Sequence, residues 1–304
     1  MPNLAGPPEV VAIVVMFNSY EEVARCVQTI LAQNSPGLEV LVLDNGSRDG
    51  SAAQIREIFA GEPQVSVAAL DMNRGFSGGA NAGLALALER QPAFVWLLTD
   101  DIELHPNAAK HLVSALRDDE RIGLAGLYIL DRAKPDTLYY GGGIFTPIGA
   151  VHERRDDVVD IRQDLGPVRD TSYVTGASMF WRTEALRQVG LMDEAYWLYW
   201  EDADLSYRAS LAGWRVVVVP NALGWHDVTP KDDPSMPLRT RYSTRNELRF
   251  LKKFHLADTT RKAWRTLVKG LIARILRGRR LRGAGALGAL DHLLGRTGPI
   301  QGRW

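Results

Sequence analysis

The 304-residue sequence contains one cysteine, Cys26, and so cannot form an intramolecular disulfide. It lacks any run of about 18 apolar residues, the length needed to cross a bilayer. Residues 1–8 also lack the positive flank and apolar run of a signal peptide. These absences predict a cytoplasmic protein in a reducing compartment, in which Cys26 is a structural residue of a helix.

An excess of charge of one sign is also missing, because 36 lysines and arginines balance 36 aspartates and glutamates. A net charge of zero is not expected of a protein that binds nucleic acid over its whole surface. The distribution is nevertheless uneven: residues 261–304 contain 11 basic residues and one acidic residue, Asp291. The sequence therefore combines an acidic body with a basic C-terminal segment.

Two common cofactor motifs are absent. A dinucleotide-binding fold would place Gly-x-Gly-x-x-Gly directly after the first strand, but Asn18, Ser19 and Tyr20 occupy that position. The histidines show none of the paired spacing that structural zinc requires. The sequence thus argues against a nicotinamide-dependent dehydrogenase and against a structural zinc site.

The first hundred residues alternate short apolar runs with longer amphipathic segments, the pattern of a parallel sheet built from crossover units. Ser19 and Glu22 form a capping-box pattern for the helix after the first strand. Beyond Ile122 the pattern becomes mixed. We predict strands over 10–17, 38–43, 65–70, 94–98 and 214–219, and a helix over 201–212.

Polar residues stand where three of these strands end. Asp44 ends the second strand, Asn73 follows the third, and Thr99-Asp100-Asp101 follows the fourth. Ligands of open α/β sheets bind beyond the carboxyl ends of the strands, so this edge is the predicted binding site. Adjacent carboxylates there would need a cation, and their oxygens suit Mg²⁺ or Mn²⁺. Aspartates that merely cap the next helix would give the same pattern.

A second acidic cluster, Glu201, Asp202 and Asp204, follows Trp200 and other aromatic residues. Carboxylates among aromatic residues can be partly desolvated, which suits a general base. The alternative is a helix N-terminus that prefers acids because of its dipole. His226, after a later strand, is a candidate metal ligand or a structural histidine.

The order of these segments along the chain is informative, and further motifs extend the series. The series comprises Asn18-Ser19, Asp44-Asn45-Gly46-Ser47, Asn73-Arg74-Gly75-Phe76-Ser77-Gly78-Gly79, Thr99-Asp100-Asp101, Thr175-Gly176-Ala177, Trp200-Glu201-Asp202-Ala203-Asp204, Trp225-His226 and Tyr242-Ser243-Thr244-Arg245-Asn246. Over about residues 9–255, it resembles a family 2 glycosyltransferase of the GT-A fold. It is most similar to the bacterial rhamnosyltransferase and galactofuranosyltransferase branch.

The resemblance implies an α/β protein in which a mixed, mostly parallel sheet is flanked by helices. It implies a catalytic domain over 1–255, with a nucleotide-binding half at about 9–103 and an acceptor-binding half at about 104–255, before a helical tail over 256–304. The implied activity is inverting transfer of rhamnose or a galactofuranose-like sugar from a dTDP- or UDP-sugar. The acceptor would be a saccharide or a polyprenol-linked molecule in cell-surface polysaccharide synthesis.

The resemblance also implies roles for individual residues. Asp202 would be the base that removes the acceptor hydroxyl proton. Asp101 and His226 would ligate Mg²⁺ or Mn²⁺, which offsets charge on the departing diphosphate. Thr99 replaces an acid or amide common in relatives, so we expect a ribose or water-mediated metal contact to be lost. The other implied residues are Asn18, Asp44, Asn73, Gly79, Asp100 and Asp101 for the donor, Gly176, Trp200, Glu201 and Asp204 for the acceptor, and Arg245 and Asn246 for phosphate. Glu201 and Asp204 would either bind acceptor hydroxyls or brace the base.

The basic tail is predicted to form amphipathic helices. Such a helix can lie on an anionic membrane, here the inner membrane surface, where it would suit a lipid-linked acceptor. The alternative is that its apolar face docks on the catalytic domain or on a second subunit of a homo-oligomer. The apolar residues at helical spacing are Trp264, Leu267, Val268, Leu271, Ile272, Ile275 and Leu276.

Two other functions compete with this interpretation. A nucleotidyltransferase that makes the sugar nucleotide would carry a glycine-rich, basic loop after the first strand, and residues 18–22 are not such a loop. A non-catalytic, membrane-attached protein of the same fold would not need to keep Asp101, Glu201, Asp202 and His226. The sequence therefore favours the glycosyltransferase.

Overall fold

The computed structural model describes residues 7–33, 35, 37–145, 151–153, 157–228, 233–277 and 280–300. Its N-terminal part alternates strands with helices, as the apolar pattern predicts. The elements are β1 (Val10–Met16), α1 (Tyr20–Leu31), β2 (Leu38–Asp44), α2 (Ser51–Ile58), β3 (Val65–Ala69), α3 (Gly75–Glu89) and β4 (Phe94–Thr99). Each of these strands lies within one residue of its predicted bounds.

The rest of the chain mixes antiparallel strands with helices. Its strands are β5 (Ile102–Leu104), β6 (Ile122–Asp131), β7 (Lys134–Tyr140), β8 (Gly143–Phe145), β9 (Val151–Glu153), β10 (Arg169–Asp170), β11 (Ser178–Arg182) and β12 (Arg215–His226). Its helices are α4 (Ala108–Asp118), α5 (Thr183–Val189), α6 (Glu201–Leu211), α7 (Met236–Lys253), α8 (Thr259–Arg277) and α9 (Arg280–Leu293), with a 3₁₀ turn at Glu194–Tyr196.

Among the described residues, ten strands form one sheet in the order β10-β12-β6-β11-β4-β1-β2-β3, while β5 pairs with β12 and β7 with β6. Strands β1 to β4 are parallel, and β11 runs antiparallel between β4 and β6. Met16 lies opposite Asp44, and Val15 lies opposite Thr99. The carboxyl ends of these strands therefore meet at one edge, in the predicted mixed, mostly parallel α/β architecture.

Strand β1 is buried on both faces, as its unbroken apolar run predicts. One face packs against α1, where Cys26 is a buried thiol of the core. The other face packs against α3 through Ala80 and Leu84. Because β1 is held by helices on both faces, its position in the sheet is fixed. The polar residues that follow β1 and its neighbours are therefore held at one edge.

The predicted capping box at the start of α1 does not form. Ser19 is the N-cap residue, but its side chain makes no capping hydrogen bond. Its hydroxyl instead donates to Oδ2 of Asp100, just beyond β4. Ser19 therefore ties the first helix to the strand end where the site is expected.

Strand β12 is longer than predicted. It continues past Val219 to His226, with a shift in register between Val219 and Leu223. Pro220 lies at this irregularity, where a residue without an N–H is tolerated. The extension pairs His226 with Ile102 of β5. It thereby places His226 next to Asp101.

The helices after residue 255 pack on α7. Ala263 and Leu267 of α8 are buried with Leu248 of α7 and with Ala286 and Ala289 of α9. The docking alternative is thus realised for Leu267, whereas the side chains of Leu271, Ile275 and Leu276 lie outside the described residues. None of the described helices is both long and apolar enough to span a membrane. The division into a domain and a tail at residue 255 stays a prediction.

Candidate active site

A cavity of about 690 Å³ opens at the carboxyl edge of the sheet. It lies between the end of β4, the end of β12 and the start of α6, three places that are far apart in sequence. Seven of the predicted site residues line it: Asp100, Asp101, Gly176, Trp200, Glu201, Asp202 and His226. The structure therefore brings residues of both acidic clusters, and the histidine, to one cavity.

Asp101 and His226 form a direct pair across this cavity, with 3.0 Å between Oδ2 and Nε2. Burial opposes ionisation of Asp101, but the hydrogen bond and charge of His226 lower the pKa of this carboxyl overall. Burial likewise opposes protonation of His226, yet Asp101 raises the pKa of the imidazole overall. Tyr139 stacks on the imidazole, with ring centroids 5.8 Å apart.

The same pair fits a divalent metal ion that is shared with a substrate. Asp101 Oδ1 and His226 Nδ1 are buried and have no hydrogen-bond partner. The described residues contain no group of three or more histidine, cysteine or acidic side chains placed to hold an ion. An ion here would therefore have two protein ligands and would need phosphate oxygens and water to complete its shell, as Mg²⁺ usually does.

Asp100 lies beside this pair and is held differently. Burial, followed by the negative charge of Asp101, raises the pKa of Asp100 to about 7. The hydroxyl of Ser19 donates to it and partly offsets that shift. The two adjacent aspartates thus have opposite electrostatic environments: Asp101 is ionised and Asp100 carries a proton for part of the time near neutrality.

The carboxylate of Asp202 is fixed at the first turn of α6. Its Oδ2 accepts hydrogen bonds from the backbone N–H of Gly176, at 2.7 Å, and from the hydroxyl of Tyr173, at 3.0 Å. Its Oδ1 accepts from the N–H of Ala203 at 2.8 Å. The helix dipole favours a negative charge at this position. Asp202 is therefore an oriented carboxylate on the wall of the cavity.

Glu201 is buried on the same wall and is not oriented by ion pairs. Burial and the negative charge of Asp202 raise the pKa of Glu201 well above its ordinary value. Its Oε2 is buried without a hydrogen-bond partner. Burial therefore favours the protonated form of Glu201, and an unsatisfied polar oxygen remains for a ligand hydroxyl.

The loop that precedes α6 has an unusual backbone. Trp197, Tyr199 and Trp200 have φ values of 66°, 69° and 73°, in the left-handed region that side chains with a Cβ disfavour. Each such residue costs about 1–2 kcal/mol. Strained conformations of this kind persist only where surrounding contacts enforce them.

Helix α7 supplies those contacts. The side-chain nitrogen of Asn246 lies 2.9, 2.8 and 2.8 Å from the carbonyl oxygens of Tyr196, Leu198 and Tyr199. The guanidinium of Arg245 also donates to the Tyr196 carbonyl at 3.0 Å. These bonds hold the strained loop, and through it the start of the helix that carries Asp202.

The positions of Arg245 and Asn246 differ from the predicted phosphate contact. Both side chains are buried, and neither lines the cavity. Asn246 and one guanidinium nitrogen of Arg245 donate to loop carbonyls, whereas the other Arg245 donors reach Asn246 Oδ1 and the carbonyl of Gly298. Both side chains thus brace the loop from within the protein. A direct contact with phosphate would require the loop to release them.

Asp204 is likewise displaced from its predicted contact with the acceptor. Its side chain is fully buried, with Oδ1 2.7 Å from Arg208 Nε and Oδ2 2.6 Å from Lys253 Nζ. The hydroxyl of Tyr196 also donates to Oδ2, at 3.0 Å. This carboxylate is therefore paired within the protein and does not line the cavity, which leaves bracing of the helix that carries Asp202 as its predicted role.

The predicted nucleoside contacts lie in turns at the same sheet edge but do not line the cavity. Asn18 Oδ1 accepts from the N–H of Arg48 at 3.0 Å, and Asp44 Oδ1 accepts from that of Ser47 at 2.9 Å. Asn73 Oδ1 accepts from the backbone N–H of Gly75, two residues later, at 2.7 Å. These bonds shape the turns after β1, β2 and β3.

Gly79, which the resemblance places at the donor, packs closely against other parts of the protein. A Cβ at this position would lie 2.9 Å from Cγ of Asn45 and 3.1 Å from Cγ1 of Val15. The space is therefore filled by protein. The absence of a side chain lets α3 pack closely on β1 and on the turn after β2.

Several cavity residues were missed from sequence. Tyr173 has no motif that would single it out. Arg239 lies in a stretch with three arginines, at 239, 241 and 245, and sequence alone could not tell which one faces the site. The other cavity residues that carry polar groups and were not predicted are Tyr139, Tyr140, Thr175, Tyr199, Ser243 and Glu247.

The parallel β/α half and the strand-end carboxylates opposite a histidine agree with the GT-A fold that the order of the motifs implies. A family model described as glycosyl transferase family 2 matches residues 11–181. The chain belongs to glycosyl transferase family 2, as the order of its motifs predicts.

Curated relatives support a more specific similarity. The chain is 30% identical over 220 residues to the N-acetylglucosaminyl-diphospho-decaprenol L-rhamnosyltransferase of Mycobacterium tuberculosis, covering 63% of this chain and 67% of that protein. It is 31% identical over 128 residues to a succinoglycan biosynthesis protein of Rhizobium meliloti, covering 42% and 34% of the two chains. The first similarity agrees with the predicted rhamnosyltransferase-like branch.

Solved structures confirm the fold. A mannosyltransferase from Pyrobaculum calidifontis, in complex with GDP-Man and Mn²⁺, matches with a TM-score of 0.61 at 15% identity, covering 96% of this chain and 88% of its own. GalNAc-T7 with UDP, GalNAc and Mn²⁺ matches with a TM-score of 0.63 at 15% identity, covering 82% of this chain and 48% of its own. At this identity the likeness concerns the fold.

Proposed function

We propose that the chain transfers a sugar, rhamnose or a galactofuranose-like residue, with inversion, from a dTDP- or UDP-sugar to a saccharide or polyprenol-linked acceptor in cell-surface polysaccharide synthesis. Membership of the family supports glycosyl transfer. Similarity to a rhamnosyltransferase supports the sugar and the lipid-linked acceptor. The observation that carries the proposal is the placement of Asp202 and the Asp101–His226 pair on one cavity.

Asp202 is the proposed base. In a single displacement, the acceptor oxygen forms a bond to the anomeric carbon as that carbon's bond to the diphosphate breaks, and the electron pair of the broken bond leaves with the diphosphate. The acceptor proton passes to Asp202. The hydrogen bonds from Gly176 and Tyr173 to Oδ2 hold the carboxylate in one orientation for this transfer.

Asp101 and His226 are the proposed ligands of Mg²⁺ or Mn²⁺. When bound, the ion supplies positive charge against the departing diphosphate. The chain itself supplies a second cation, because Arg239 of α7 lines the same cavity. Asp100 lies beside the ligands and is proposed to contact the donor. Two matched solved structures contain Mn²⁺, which supports a divalent ion without selecting one.

The nucleoside is proposed to bind at the turns of Asn18, Asp44 and Asn73. Asp44 lies opposite Met16 at the end of β1, so these turns share one edge with the cavity. The acceptor is proposed to bind against Trp200 and Glu201, where an aromatic face can stack on a sugar and the buried Oε2 can pair with a hydroxyl. We further propose that this takes place on the cytoplasmic face of the inner membrane.

The proposal is tested by supplying purified full-length protein with a panel of sugar nucleotides and a polyprenol-diphosphate-linked saccharide in the presence of Mg²⁺ or Mn²⁺. The expected product is the acceptor extended by one sugar, with the opposite anomeric configuration to the donor by NMR. Retained configuration would contradict the single displacement. Binding of every sugar nucleotide without transfer to any acceptor would contradict the enzymatic function.

A further inference from the structure

Helix α8 exposes a row of large apolar side chains. Trp264, Val268 and Ile272 are 55%, 49% and 50% exposed, although the neighbouring Ala263 and Leu267 are buried against α7 and α9. The three residues are spaced by four, so they form one stripe along about 12 Å of helix. Docking on the protein thus accounts for one face of α8, and a second apolar face is left in solvent.

A row of cations adjoins this stripe. Arg261, Arg265 and Lys269 are all exposed and are also spaced by four, so they form a second row that runs beside the apolar row along the helix. The α8 sequence contains no acidic residue. The stripe and the cationic row together, here called the α8 surface, have the composition of a helix that lies in an anionic membrane interface.

The positive charge of the α8 surface also indicates whether lipid or a second copy of the chain binds there. A second copy of the chain docked on the same stripe by a two-fold axis would place the cations of both copies in one interface, since such an interface uses the same patch on both copies. The α8 sequence offers no acidic residue to pair with them. Anionic phospholipid headgroups would instead neutralise the row, while the apolar side chains enter the boundary between headgroups and acyl chains. The observed pattern fits the lipid.

The α8 surface is tied to the cavity. Lys262, one residue from the cationic row, lies 2.6 Å from Oε1 of Glu247 through its Nζ. Glu247 belongs to α7 and lines the cavity. One ion pair therefore connects α8, where the membrane would bind, to a residue in the wall of the cavity.

We propose that the α8 surface binds anionic phospholipid and holds the cavity beside a lipid-linked acceptor at the membrane surface. The binding of lipid stands on α8 alone. Its benefit to transfer rests on the proposed function. The two can be separated, because a saccharide acceptor without a lipid needs the cavity but not the membrane.

The first test measures co-sedimentation of the full chain with vesicles of phosphatidylglycerol and phosphatidylcholine, and with phosphatidylcholine alone. We expect binding to the anionic vesicles, weakened at least tenfold by Val268→Ser with Ile272→Ser. The matched control is Ile58→Ser with Leu211→Ser, which alters two exposed apolar residues elsewhere and should leave binding unchanged. No binding of the wild type, or equal loss in both variants, overturns the proposal.

The second test concerns charge. Arg265→Glu with Lys269→Glu should lower affinity for anionic vesicles more than tenfold, whereas Arg56→Glu with Lys110→Glu, exposed cations outside α8, should have a much smaller effect. Equal affinity for anionic and neutral vesicles would overturn the choice of lipid. A concentration-dependent dimer in sedimentation velocity that Val268→Ser with Ile272→Ser abolishes would assign the surface to a second copy instead.

The third test uses activity. The Val268→Ser, Ile272→Ser variant should transfer sugar normally to a lipid-free acceptor and lose at least tenfold in rate with an acceptor embedded in anionic vesicles. Equal rates on the embedded acceptor would overturn the link between α8 and transfer. If the wild type transferred sugar to neither acceptor, the proposed function would be contradicted. The binding of lipid by α8 would then be judged from the vesicle measurements alone.

Discussion

The carboxylate of Asp101 and the imidazole of His226 lie 3.0 Å apart because two strand ends are paired. Strand β5 begins directly after Asp101, and its Ile102 lies opposite His226 at the end of β12. The pairing of β5 with β12 thus sets the distance between the two side chains before any ligand binds. Preorganised ligands of this kind bind an ion without first being ordered.

Removing either side chain should weaken metal-assisted binding of the donor diphosphate. In calorimetry, we expect Mn²⁺ or Mg²⁺ to strengthen binding of the nucleotide diphosphate to the wild type. In Asp101→Asn or His226→Ala we expect this enhancement to fall by about tenfold to a hundredfold. His105→Ala, which changes a histidine outside the cavity lining, is the control. Equal enhancement in all four proteins would contradict the assignment of these ligands.

Asn246→Ala should impair catalysis through the strained loop. The substitution leaves the carbonyls of Tyr196, Leu198 and Tyr199 without their shared donor, at a cost in stability of about 1–3 kcal/mol. We expect kcat to fall at least tenfold while the affinity for the donor nucleotide changes little, because the loop leads to Asp202 and not to the donor turns. Steady-state kinetics and chemical denaturation measure both effects.

A control separates loop positioning from general loss of stability. Asn107→Ala changes an exposed asparagine that makes no capping bond, and it should alter neither kcat nor unfolding. If Asn246→Ala lowers stability but leaves kcat unchanged in the folded protein, the loop does not position the base.

Glu201→Gln should change how stability depends on pH. The pKa of Glu201 is raised in the folded state, so as pH rises above about 4.3 the unfolded chain releases this proton before the folded chain does. The wild type therefore loses free energy of unfolding from that pH up towards the raised pKa. Glutamine cannot ionise, so the stability of the variant relative to the wild type should increase as pH rises above about 4.3.

Denaturant titrations at several pH values measure this difference. Glu120→Gln, at an exposed surface position, is the comparison. A stability difference between Glu201→Gln and wild type that stays constant with pH would show that folding does not raise the pKa of Glu201.

Gly79→Ala should destabilise the protein by about 1–3 kcal/mol, because the added Cβ would press on Asn45 and Val15. Gly61→Ala, where a Cβ would meet nothing within 4 Å, is the matched control. Thermal unfolding measures both variants. If Gly79→Ala were as stable as wild type but bound the donor nucleotide more weakly, the glycine would serve ligand approach as the sequence suggested.

The sequence predicted those parts of the fold that follow from local pattern. Apolar runs such as Val10–Met16 are long and unbroken, and polar residues such as Asp44 mark where they end. It also singled out Asp101, Asp202 and His226 by residue type and motif, and the structure brings these three residues to one cavity. Apolar runs and motifs are properties of short segments, so they survive without knowledge of the tertiary structure.

What could not be predicted depends on which face of an element meets which neighbour. Asp204 and Glu201 lie in one helical turn. Asp204 is paired with Arg208 and Lys253, whereas Glu201 faces the cavity. In the sequence, Asn246 is a polar residue in a basic stretch, and nothing there indicates its contacts with three loop carbonyls. Likewise, Ser19 fits a helix cap locally, and only tertiary contact shows its bond to Asp100.

The most direct measurement of the account's central claim is the turnover of Asp202→Asn. The variant keeps the size of the side chain and its place between Gly176 and Tyr173, but it cannot accept the acceptor proton. We predict that kcat falls by about 10²–10⁴, while the dissociation constant of the donor nucleotide stays within twofold of the wild type. Transfer at the wild-type rate by this variant would contradict the role of Asp202 as the base and with it the proposed mechanism.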